Sequence, residues 1–418
     1  MRRLLICLCL LPLAGLSAKR FTVSNAEQLY KAVANKARSI DIILKPGTYD
    51  LMPQAVTDST LGNALKPDSM IAVTTGLHLV GKNYRLLGTD RRKTIIRTKA
   101  GYGIFIEHCP QVLLKDLTIT DGIRDQDGNA TSAAIVVKHS GTEITGCLIE
   151  HNQGDFSQTI AGIIGICGRE GSRLFIHNNI IRHNSWDGIA LYRKAKATIT
   201  DNLIFAGRGA GIGITWNAEA YLTHNVIHHY WKGIGSFGTA SAKLYANLVR
   251  DVRGWGIIAS GQSRMECYYN EVRRAGNVGM ACWDSTASLI AMRNVICQSG
   301  QEKQWVAPLV GIWNNGSDSL VCIRDNLFWG NKEANIAAGY KEPGSNCAAF
   351  TFDRVHSEEG NFLFLSTPTL NEQNYYTDSY AEPPVSSFRQ SIPNPDVGIM
   401  GGIYKDYPWT WDPDKEPF

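Results

Sequence analysis

Side chains that can bind a carboxylate and transfer a proton recur through the middle of the chain. Arg208 and Arg253 can each clamp a carboxylate with two parallel hydrogen bonds. The predicted catalytic residues are Lys138, His183, Tyr192, Arg208 and His229. These residue types predict a site that neutralises a carboxylate and removes a proton from the carbon beside it.

Aromatic residues lie close to these groups in the sequence. The predicted substrate-binding residues are Trp216, Trp231, Lys232, Phe237 and Arg253. Indole and phenyl faces can stack on sugar rings while they exclude water from a site. An exposed Arg or His is more often ordinary solvated surface, so these residues form a site only if the fold gathers them on one wall.

An Asn followed two positions later by an aliphatic or aromatic residue recurs along the same region. It stands at Asn179, Asn202, Asn225, Asn247, Asn270, Asn294 and Asn326. The first five intervals are 22 to 24 residues and the last is 32. A repeat near 23 residues predicts stacked coils that share one core, so function must lie on an outer wall.

Three aliphatic columns accompany this Asn repeat. One precedes the Asn, one follows it, and the third comes directly after a recurring Gly, as in Gly188-Ile189. Because strand residues alternate between faces, the columns predict three short parallel strands per coil and about ten coils. The Asn fits a tight bend that tolerates left-handed backbone and lets its amide bond to the next coil. A leucine-rich repeat has a similar period but needs a Leu-rich segment that is missing here.

Residues 1–17 are predicted to be a secretory signal. Arg2 and Arg3 precede an apolar run that reaches Leu16, and small residues follow. We therefore expect a secreted or periplasmic protein with no membrane attachment after cleavage. Without the two arginines, 40 Lys plus Arg face 38 Asp plus Glu, so the net charge does not favour nucleic acid. We expect a monomer.

The remaining chain divides into a long repeat and a tail. Residues 18–345 are expected to form the β-helix, opening with a capping helix at 25–37. Ser24 and Glu27 have the spacing of a capping box. Residues 346–418 are rich in Pro, Ser and aromatic side chains and are expected to be an irregular tail that covers the far end.

One acidic loop lies in a long early coil. Its candidate metal ligands are Asp121, Asp125 and Asp127. Oxygen ligands at a spacing of two suit calcium, which could neutralise a substrate carboxylate. A solvated turn is the alternative, because the closing Glu of a helix-loop-helix calcium site is missing.

The opening helix, the strand at 40–49, the Asn-x-Ile coils and the segment at 396–402 resemble the pectate-lyase-like superfamily of right-handed parallel β-helices. That resemblance implies the handedness and architecture for almost the whole chain beyond residue 17. Its members include polysaccharide lyases, galacturonan hydrolases, mannuronan epimerases and proteins without known chemistry. The catalytic signatures of the hydrolases, the epimerases and the best-known lyases are missing, so no site can be carried over.

In this superfamily the groove usually runs along the strand after the longest loop, which here follows the recurring Gly. The outward pairs expected on that strand include Ile164 with Ile166, Ala190 with Tyr192, Gly213 with Thr215, and Gly235 with Phe237. Loops before these strands add further basic and aromatic residues. The resemblance therefore places the candidate residues along one cleft.

The leading hypothesis is β-elimination on an acidic polysaccharide or oligosaccharide that contains uronic acid. A C5-epimerase shares the same proton abstraction and stays open. A glycoside hydrolase is less favoured, because its two carboxylates must face each other across the groove. The alternative from another class is a non-catalytic protein that binds glycans or has a structural role.

Overall fold

The computed structural model describes residues 18–62, 70–153, 162–300, 309–317, 319–341, 348–351 and 362–363. Within these ranges the chain winds through three sheets, A, B and C, in eleven repeats of that order. Nearly all neighbouring strands pair in parallel, and one helix is present among the described residues. The predicted parallel β-helix of three sheets and about ten coils is therefore confirmed.

The strands are short and stack in sequence order within each sheet. Sheet A contains Lys19–Val23, Ser39–Leu44, Asn83–Gly88, Val112–Lys115, Gly141–Thr145, Arg173–His177, Lys196–Thr200, Glu219–Thr223, Ser241–Tyr245, Arg264–Tyr268, Ser288–Met292 and Val321–Arg324. Sheet B contains Gly47–Asp50, Thr94–Arg97, Thr118–Thr120, Leu148–Glu150, Ile180–Arg182, Leu203–Phe205, Val226–His228, Leu248–Arg250, Glu271–Arg273, Val295–Cys297, Leu327–Trp329 and Phe362–Leu363. Sheet C contains Gln54–Asp58, Ile71–Val80, Tyr102–Glu107, Ala133–Lys138, Ile164–Arg169, Ile189–Leu191, Ala210–Ile214, Lys232–Ser236, Trp255–Ala259, Val278–Cys282, Val310–Asn314, Ala334–Lys341 and Ala348–Thr351.

The interior is filled by the predicted aliphatic columns. In sheet A, Ile176 pairs with Ile199 and Ile199 with Leu222, and in sheet C Ile189 pairs with Ile212. All five side chains are 0% exposed. Each coil leaves its own edge open until the next coil covers it, so the apolar burial stabilises the stack rather than any single coil.

The recurring Asn residues form a buried ladder at the bend between sheets A and B. Asn225 Oδ1 accepts hydrogen bonds from the backbone N (3.2 Å) and Nδ2 (2.9 Å) of Asn202 in the preceding coil. Its own Nδ2 donates to the carbonyl oxygen of Ile199 (2.9 Å). The residue before the Asn, His224 in this coil, adopts the left-handed conformation with φ 55°. The amide thus satisfies backbone groups that the bend removes from the sheets.

The N-terminal helix spans Ala26–Val33, which is shorter than the predicted 25–37. Asn25 is its N-cap and accepts a hydrogen bond from Gln28 N (2.9 Å). The capping box predicted from Ser24 and Glu27 is wrong, because the N-cap is one residue later. The Ser24 backbone N donates to the side chain of Gln28 (2.9 Å) and not to that of Glu27. Asn25, whose side chain is also a good N-cap acceptor, therefore takes the role that was expected of Ser24.

The helix ends early because of an Asx turn. Asn35 Oδ1 accepts a hydrogen bond from Ala37 N (3.1 Å), which competes with continued helical bonding. The buried face of the helix carries Leu29 and Ala32, which are 0% and 1% exposed. This helix covers the apolar end of the first coil.

Two predicted segments lie wholly or mostly outside the described residues. The predicted signal at 1–17 lies outside the described residues. Of the predicted tail at 346–418, the structure describes only Ala348–Thr351 and Phe362–Leu363. In the described ranges, the one helix is too short and too polar to span a bilayer.

We predict that Asn225→Ala lowers the free energy of unfolding by about 2–5 kcal/mol, because two donors of Asn202 lose their acceptor inside the core. Chemical denaturation monitored by circular dichroism measures this loss. The matched control is Asn217→Ala, since Asn217 is exposed and accepts one hydrogen bond from Lys194 N (2.9 Å). We expect the control to cost less than about 1 kcal/mol. Equal losses at the two positions would contradict a dominant role for the ladder.

Candidate functional site

The outer face of sheet C presents three columns of side chains. The first is the residue before each recurring Gly: Ile164, Asp187, Ala210, Lys232 and Trp255. The second is the residue after the buried Ile: Cys167, Ala190, Gly213, Gly235 and Ile258. The third comes two residues later: Arg169, Tyr192, Thr215 and Phe237. Stacked coils therefore place residues about 23 positions apart side by side.

The middle column forms the floor of a groove. Ala190 is followed in the next coils by Gly213 and Gly235, so two floor positions carry no side chain. A Cβ added to Gly213 would lie 3.3 Å from Asp187 Oδ2, and one added to Gly235 would lie 2.5 Å from the ring of Phe237. The flanking columns close over the floor from both sides. Glycine is needed here for space rather than for an unusual backbone conformation.

A cavity of about 280 Å³ lies at one end of this groove. Its lining includes Arg124, Trp186, Tyr192, Thr215 and Trp216. The rings of Tyr192 and Trp216 lie 5.3 Å apart between their centroids. A guanidinium, two indoles and a phenol thus surround one space, which suits a ligand with both apolar faces and an acidic group.

Asp187 follows the cavity residue Trp186 in the chain and stands in the first column, where it is buried and does not itself line the cavity. Its Oδ1 accepts a hydrogen bond from Ala210 N (2.6 Å), and its Oδ2 faces the empty floor at Gly213. Burial raises the pKa of Asp187 to about 6, although the bond from Ala210 and the charge of Lys232 act in the opposite direction. A carboxyl with this pKa can both give up and take up a proton near neutral pH. Perturbed groups of this kind are typical of functional sites.

Lys232 continues the same bank of the groove. Its Nζ lies 3.7 Å from the ring centroid of Trp231, 5.6 Å from that of Trp255 and 5.8 Å from that of Phe237. Burial lowers the pKa of Lys232, while Asp187 favours its charged form. The aromatic faces stabilise the ammonium group by cation–π attraction. The structure therefore gathers the predicted residues Trp231, Lys232 and Phe237 into one cluster.

Tyr192 and Trp216 are also brought together as expected, on the opposite bank. Burial raises the pKa of Tyr192 well above its ordinary value, with the Asp187 carboxylate adding to the effect. The phenol therefore stays protonated near neutral pH. This environment suits a hydrogen-bond or proton donor better than a base. The guanidinium of Arg193 lies 4.7 Å from the centroid of the Trp216 ring, which lines the cavity.

Lys138 is placed on the same wall but beneath other residues. It is 5% exposed, and its Nζ donates to Thr60 Oγ1 (2.6 Å) and Glu107 Oε1 (3.0 Å). His78 and then Lys138 lower the pKa of Glu107 to about 2, so this pair stays ionic. A lysine held in this way has no open face toward the groove. Its predicted role as a base is not supported by this placement.

His183 and His229 lie at the ends of sheet B strands, and neither lines the cavity. The ring of His183 stacks 5.1 Å from that of His151. The Nδ1 of His229 lies 2.6 Å from that of His228. These two predicted proton acceptors thus belong to the bend between sheets B and C. Their proposed catalytic roles remain untested.

Arg208 and Arg253 occupy the turns that enter sheet C. Arg208 is half-buried in the turn before Ala210–Ile214. Arg253 is exposed in the turn before Trp255–Ala259, where its backbone N donates to Tyr230 O (2.9 Å). Both lie on the side of the groove that also carries Asp187 and Lys232. Contact with a ligand at these positions remains a prediction.

The acidic loop uses its carboxylates to hold itself in place. Asp125 Oδ1 accepts hydrogen bonds from Thr74 N (2.9 Å) and Thr74 Oγ1 (2.7 Å). Asp127 accepts one from a backbone N–H of the same strand (3.1 Å), and Asp121 lies 3.3 Å from Arg97. No group of three potential metal ligands occurs among the described residues. This donor set does not fit calcium, whose predicted binding here has not been tested.

Arg169 is a wall residue that the sequence analysis missed. Ile166 was expected to point outward, but it pairs with Ile135 and Ile189 in the interior and is 0% exposed. Two Gly-Ile pairs compete in this segment, and the strand uses Gly165-Ile166 rather than the earlier pair. Aligning Gly165 with Gly188, 23 residues later, would have assigned Arg169 to the outward column.

Asp187 and Arg124 were likewise missing from the predicted site. The signal for Asp187 is its place directly before a recurring Gly, a position that also holds Lys232 and Trp255. From the sequence, the residue before each Gly is predicted to belong to the preceding loop. The sequence pattern therefore does not predict that this residue points outward from sheet C. Arg124 stands within the acidic loop, and nothing in its spacing relates it to Tyr192. Only the fold brings it to the cavity.

Comparisons with solved structures find distant likenesses. No curated protein matches the sequence. Similar solved structures include pectate lyase Pel9A, with 11% identity over 75% of this chain and 80% of that chain and a TM-score of 0.46. Another is the A-module of mannuronan C-5 epimerase AlgE4 from Azotobacter vinelandii, with 11% identity, 83% and 98% coverage and a TM-score of 0.38.

A third is the catalytic unit of a thermostable GH87 α-1,3-glucanase from Streptomyces thermodiastaticus, with 12% identity, 82% and 66% coverage and a TM-score of 0.46. Likenesses of this size do not assign an activity to this chain. The family model described as right handed beta helix region matches residues 88–249 and 162–342, which together make up more than half of the sequence. With the three stacked sheets, this match shows that the chain belongs to the right-handed β-helix family.

Proposed function

We propose that the protein is an exported carbohydrate-active enzyme that cleaves a uronic-acid-containing polysaccharide by β-elimination in the groove of sheet C. The observation that carries this proposal is the cavity in which Arg124, Trp186, Tyr192 and Trp216 converge beside Asp187. It combines the surfaces that a sugar acid needs with a carboxyl able to exchange a proton near neutral pH.

Arg124 is the group proposed to bind the uronate carboxylate. Its terminal nitrogens make only long contacts, 3.4 Å to Gly162 O and 3.3 Å to Gly128 O. Its buried Nε has no hydrogen-bond partner among the described residues. A carboxylate in the cavity would satisfy this donor and offset the desolvation that lowers the pKa of Arg124.

The indoles are proposed to hold the sugar rings. Trp186 and Trp216 line the same cavity, and their apolar faces can pack against sugar C–H groups. Further along the groove, Trp231 and Phe237 would contact the next units with Lys232 between them. This ammonium group can pair with a second carboxylate. Arg208 and Arg253 are proposed to contact acidic units at the groove edge.

Elimination requires a base and a proton donor. The base takes the C5 proton, and the electron pair of the broken C5–H bond forms the C4–C5 double bond. The C4–oxygen bond breaks, its electron pair stays with the leaving oxygen, and that oxygen gains a proton. With a pKa of about 6, Asp187 is mostly ionised at neutral pH and can take the C5 proton. Tyr192, which burial keeps protonated, can protonate the leaving oxygen. The cation of Arg124 would stabilise the charge that develops on the C6 carboxylate.

A glycan-binding protein without catalysis is the second candidate. The hydrogen bond from Ala210 N to Asp187 Oδ1 (2.6 Å) gives this carboxyl a structural task that needs no substrate. The aromatic cavity would then bind sugar without proton transfer. The two candidates differ in whether bound polymer is converted to an unsaturated product.

We expect Tyr192→Phe to lower kcat/KM at least about 100-fold, because the leaving oxygen loses its proton donor. The assay follows ultraviolet absorbance of the unsaturated product on pectate, alginate, hyaluronan and rhamnogalacturonan. The control Tyr221→Phe changes a tyrosine that is 42% exposed on the outer face of sheet A, and it should leave the rate unchanged. Binding of these polymers without any product would favour the second candidate. Inversion at C5 without a double bond would indicate an epimerase.

We expect Asp187→Asn to abolish cleavage and, at neutral pH, to stabilise the fold. Because the folded pKa of about 6 exceeds the unfolded value, the wild-type protein loses stability as pH rises through 6. Asn keeps an acceptor for Ala210 N but has no charge to bury. Its advantage in the free energy of unfolding should grow by about 2–3 kcal/mol between pH 4 and pH 7 in denaturation experiments.

Glu107→Gln is a control of opposite sign for this experiment. His78 and Lys138 lower the pKa of Glu107 to about 2, so this carboxylate stabilises the folded state above its unfolded pKa. The Gln variant should be destabilised at neutral pH, and the difference should shrink as pH falls toward 2. A pH-independent effect of Asp187→Asn would contradict the raised pKa.

We also expect Gly213→Leu to reduce glycan binding at least about tenfold, because the new side chain fills the floor of the groove. Thr198→Leu adds bulk on the outer face of sheet A in the same coil and should leave binding unchanged. Isothermal titration calorimetry measures both, and circular dichroism checks that the coils are intact. Unaltered binding by a folded Gly213→Leu protein would place the ligand elsewhere.

A further inference from the structure

Among the described residues, the wall of sheet C keeps half-buried edges on one side of the cavity and is almost completely covered on the other. On the N-terminal side, the outward residues are almost completely buried: Phe105 is 1% exposed, Val136 and Cys167 are 0%, Lys138 is 5% and Arg169 is 0%. What covers this part of the wall includes the antiparallel strand Gln54–Asp58 and the turn at 58–62 that follows it. A ligand cannot lie on these coils while the turn is in place.

Buried cations fix this turn. Arg169 donates to the carbonyl oxygens of Thr60 (3.0 Å), Leu61 (3.2 Å) and Gly62 (2.8 Å). Arg193 donates to the same oxygen of Gly62 (3.1 Å). Three consecutive carbonyls therefore point at guanidinium groups, an arrangement of charge-assisted bonds that holds the turn rigidly.

The charge of these cations is partly offset within the same cluster. Glu170 lies 2.5 Å from Arg169 Nε and 2.7 Å from Arg193 Nη1. One carboxylate thus offsets half of the charge of the two guanidinium groups, and further donors of both groups point at the carbonyl oxygens of the turn. Their task is to anchor the turn rather than to bind substrate.

The turn stands next to the cavity rather than at a distance from it. Gly62 forms a bridge with Ala130, which lines the cavity. Arg193 connects the Gly62 carbonyl to the Trp216 ring, 4.7 Å from its guanidinium. The barrier and the wall of the cavity are thus one continuous structure.

On the C-terminal side the groove keeps part of its surface accessible among the described residues, while its floor residues Ala190, Ile258 and Ala281 are buried. Its half-buried residues over the next coils are Tyr192, Thr215, Phe237, Trp255 and Trp283. With adjacent strands about 4.8 Å apart, five coils give a track of roughly 20 Å. That length accommodates several sugar units beyond the one in the cavity.

We propose that the protein recognises the end of a polysaccharide chain, with the terminal uronate in the cavity against the barrier and the preceding units along the open track. A groove closed at one end admits a polymer only by its terminus. This inference rests on the proposed function for its ligand class, but it concerns the binding mode and does not depend on the elimination chemistry.

The number of protein molecules bound per polymer chain tests this mode. The probes are short and long fractions of polygalacturonate and polymannuronate, titrated with the full chain in analytical ultracentrifugation. We expect one protein per chain at every length. A number that rises with chain length would overturn chain-end binding, and so would the lack of binding to every fraction.

The pattern of unsaturated products tests the chain-end mode and the lyase proposal separately. One protein per chain without unsaturated product would leave the chain-end mode standing and remove the lyase proposal. An unsaturated product that appears as a broad ladder, with early loss of viscosity, would support the lyase and overturn the chain-end mode. A single short product from the first turnover supports both.

Arg169→Met tests the barrier itself, because it removes the donors to Thr60, Leu61 and Gly62. We expect several proteins per long chain once the turn loosens. The matched control is Arg182→Met, which breaks an ion pair with Glu150 (2.8 Å) on the outer face of sheet B and should keep one protein per chain. If Arg169→Met does not fold, the number of wild-type protein molecules bound per polymer chain is the test of the chain-end mode. Unchanged stoichiometry in a folded Arg169→Met protein would contradict the barrier.

Discussion

The side-chain amides of the recurring Asn residues hold the bend on which the central coils depend. In the seven coils from Asn179 to Asn326 the chain turns from sheet A to sheet B within two residues, and the first of these, such as Asp201 or His224, is left-handed. The amide of Asn202 or Asn225 then bonds to the coils above and below. The Asn backbone joins the same coils, because its carbonyl oxygen accepts a hydrogen bond from the next coil, as Asn202 O does from Val226 N (2.9 Å). Side-chain and backbone bonds together fix the register of these coils.

A fixed register has consequences on the outside of the stack. Because residues about 23 positions apart become neighbours, Asp187 and Lys232 face one another along one bank of a groove, and Tyr192 and Phe237 occupy the other. Where the coils carry glycine, side chains of the banks lie over the floor, Asp187 at Gly213 and the Phe237 ring at Gly235. A buried carboxyl with a raised pKa is unfavourable for stability at neutral pH, so the scaffold around it must offset that cost.

Other polar residues of the scaffold hold loops in place through hydrogen bonds. Asp125 and Asp127 tie the loop that carries Arg124 to the strand Ile71–Val80. Arg169 holds the turn at 58–62 through its backbone carbonyls. Residue types that suggest a metal site or an anion site in the sequence thus serve to position the cavity and to close the wall on one side of it. The partners of a charged group, rather than its type, decide which role it has.

The sequence predicted the candidate site only where the site follows the repeat. Tyr192, Trp216, Trp231, Lys232 and Phe237 were identified because they stand at regular offsets from the Asn and Gly columns, and the structure groups them on one wall. Lys138 follows the same columns, but residues from a different part of the chain cover it. His183 and His229 share the period and nevertheless lie at sheet B, because the bend between the strands rotates them away from the groove.

The sequence alone determined the coil, its period, its inward columns and the bend at each Asn, because these depend on contacts between residues of like position in adjacent repeats. Tertiary structure decided which outward residues are accessible and how their protons are held. Arg124 reaches the cavity from a loop whose sequence has no repeat, and the turn at 58–62 covers Arg169 from more than a hundred positions away. Burial of this kind is set by segments without periodicity, so no local pattern encodes it.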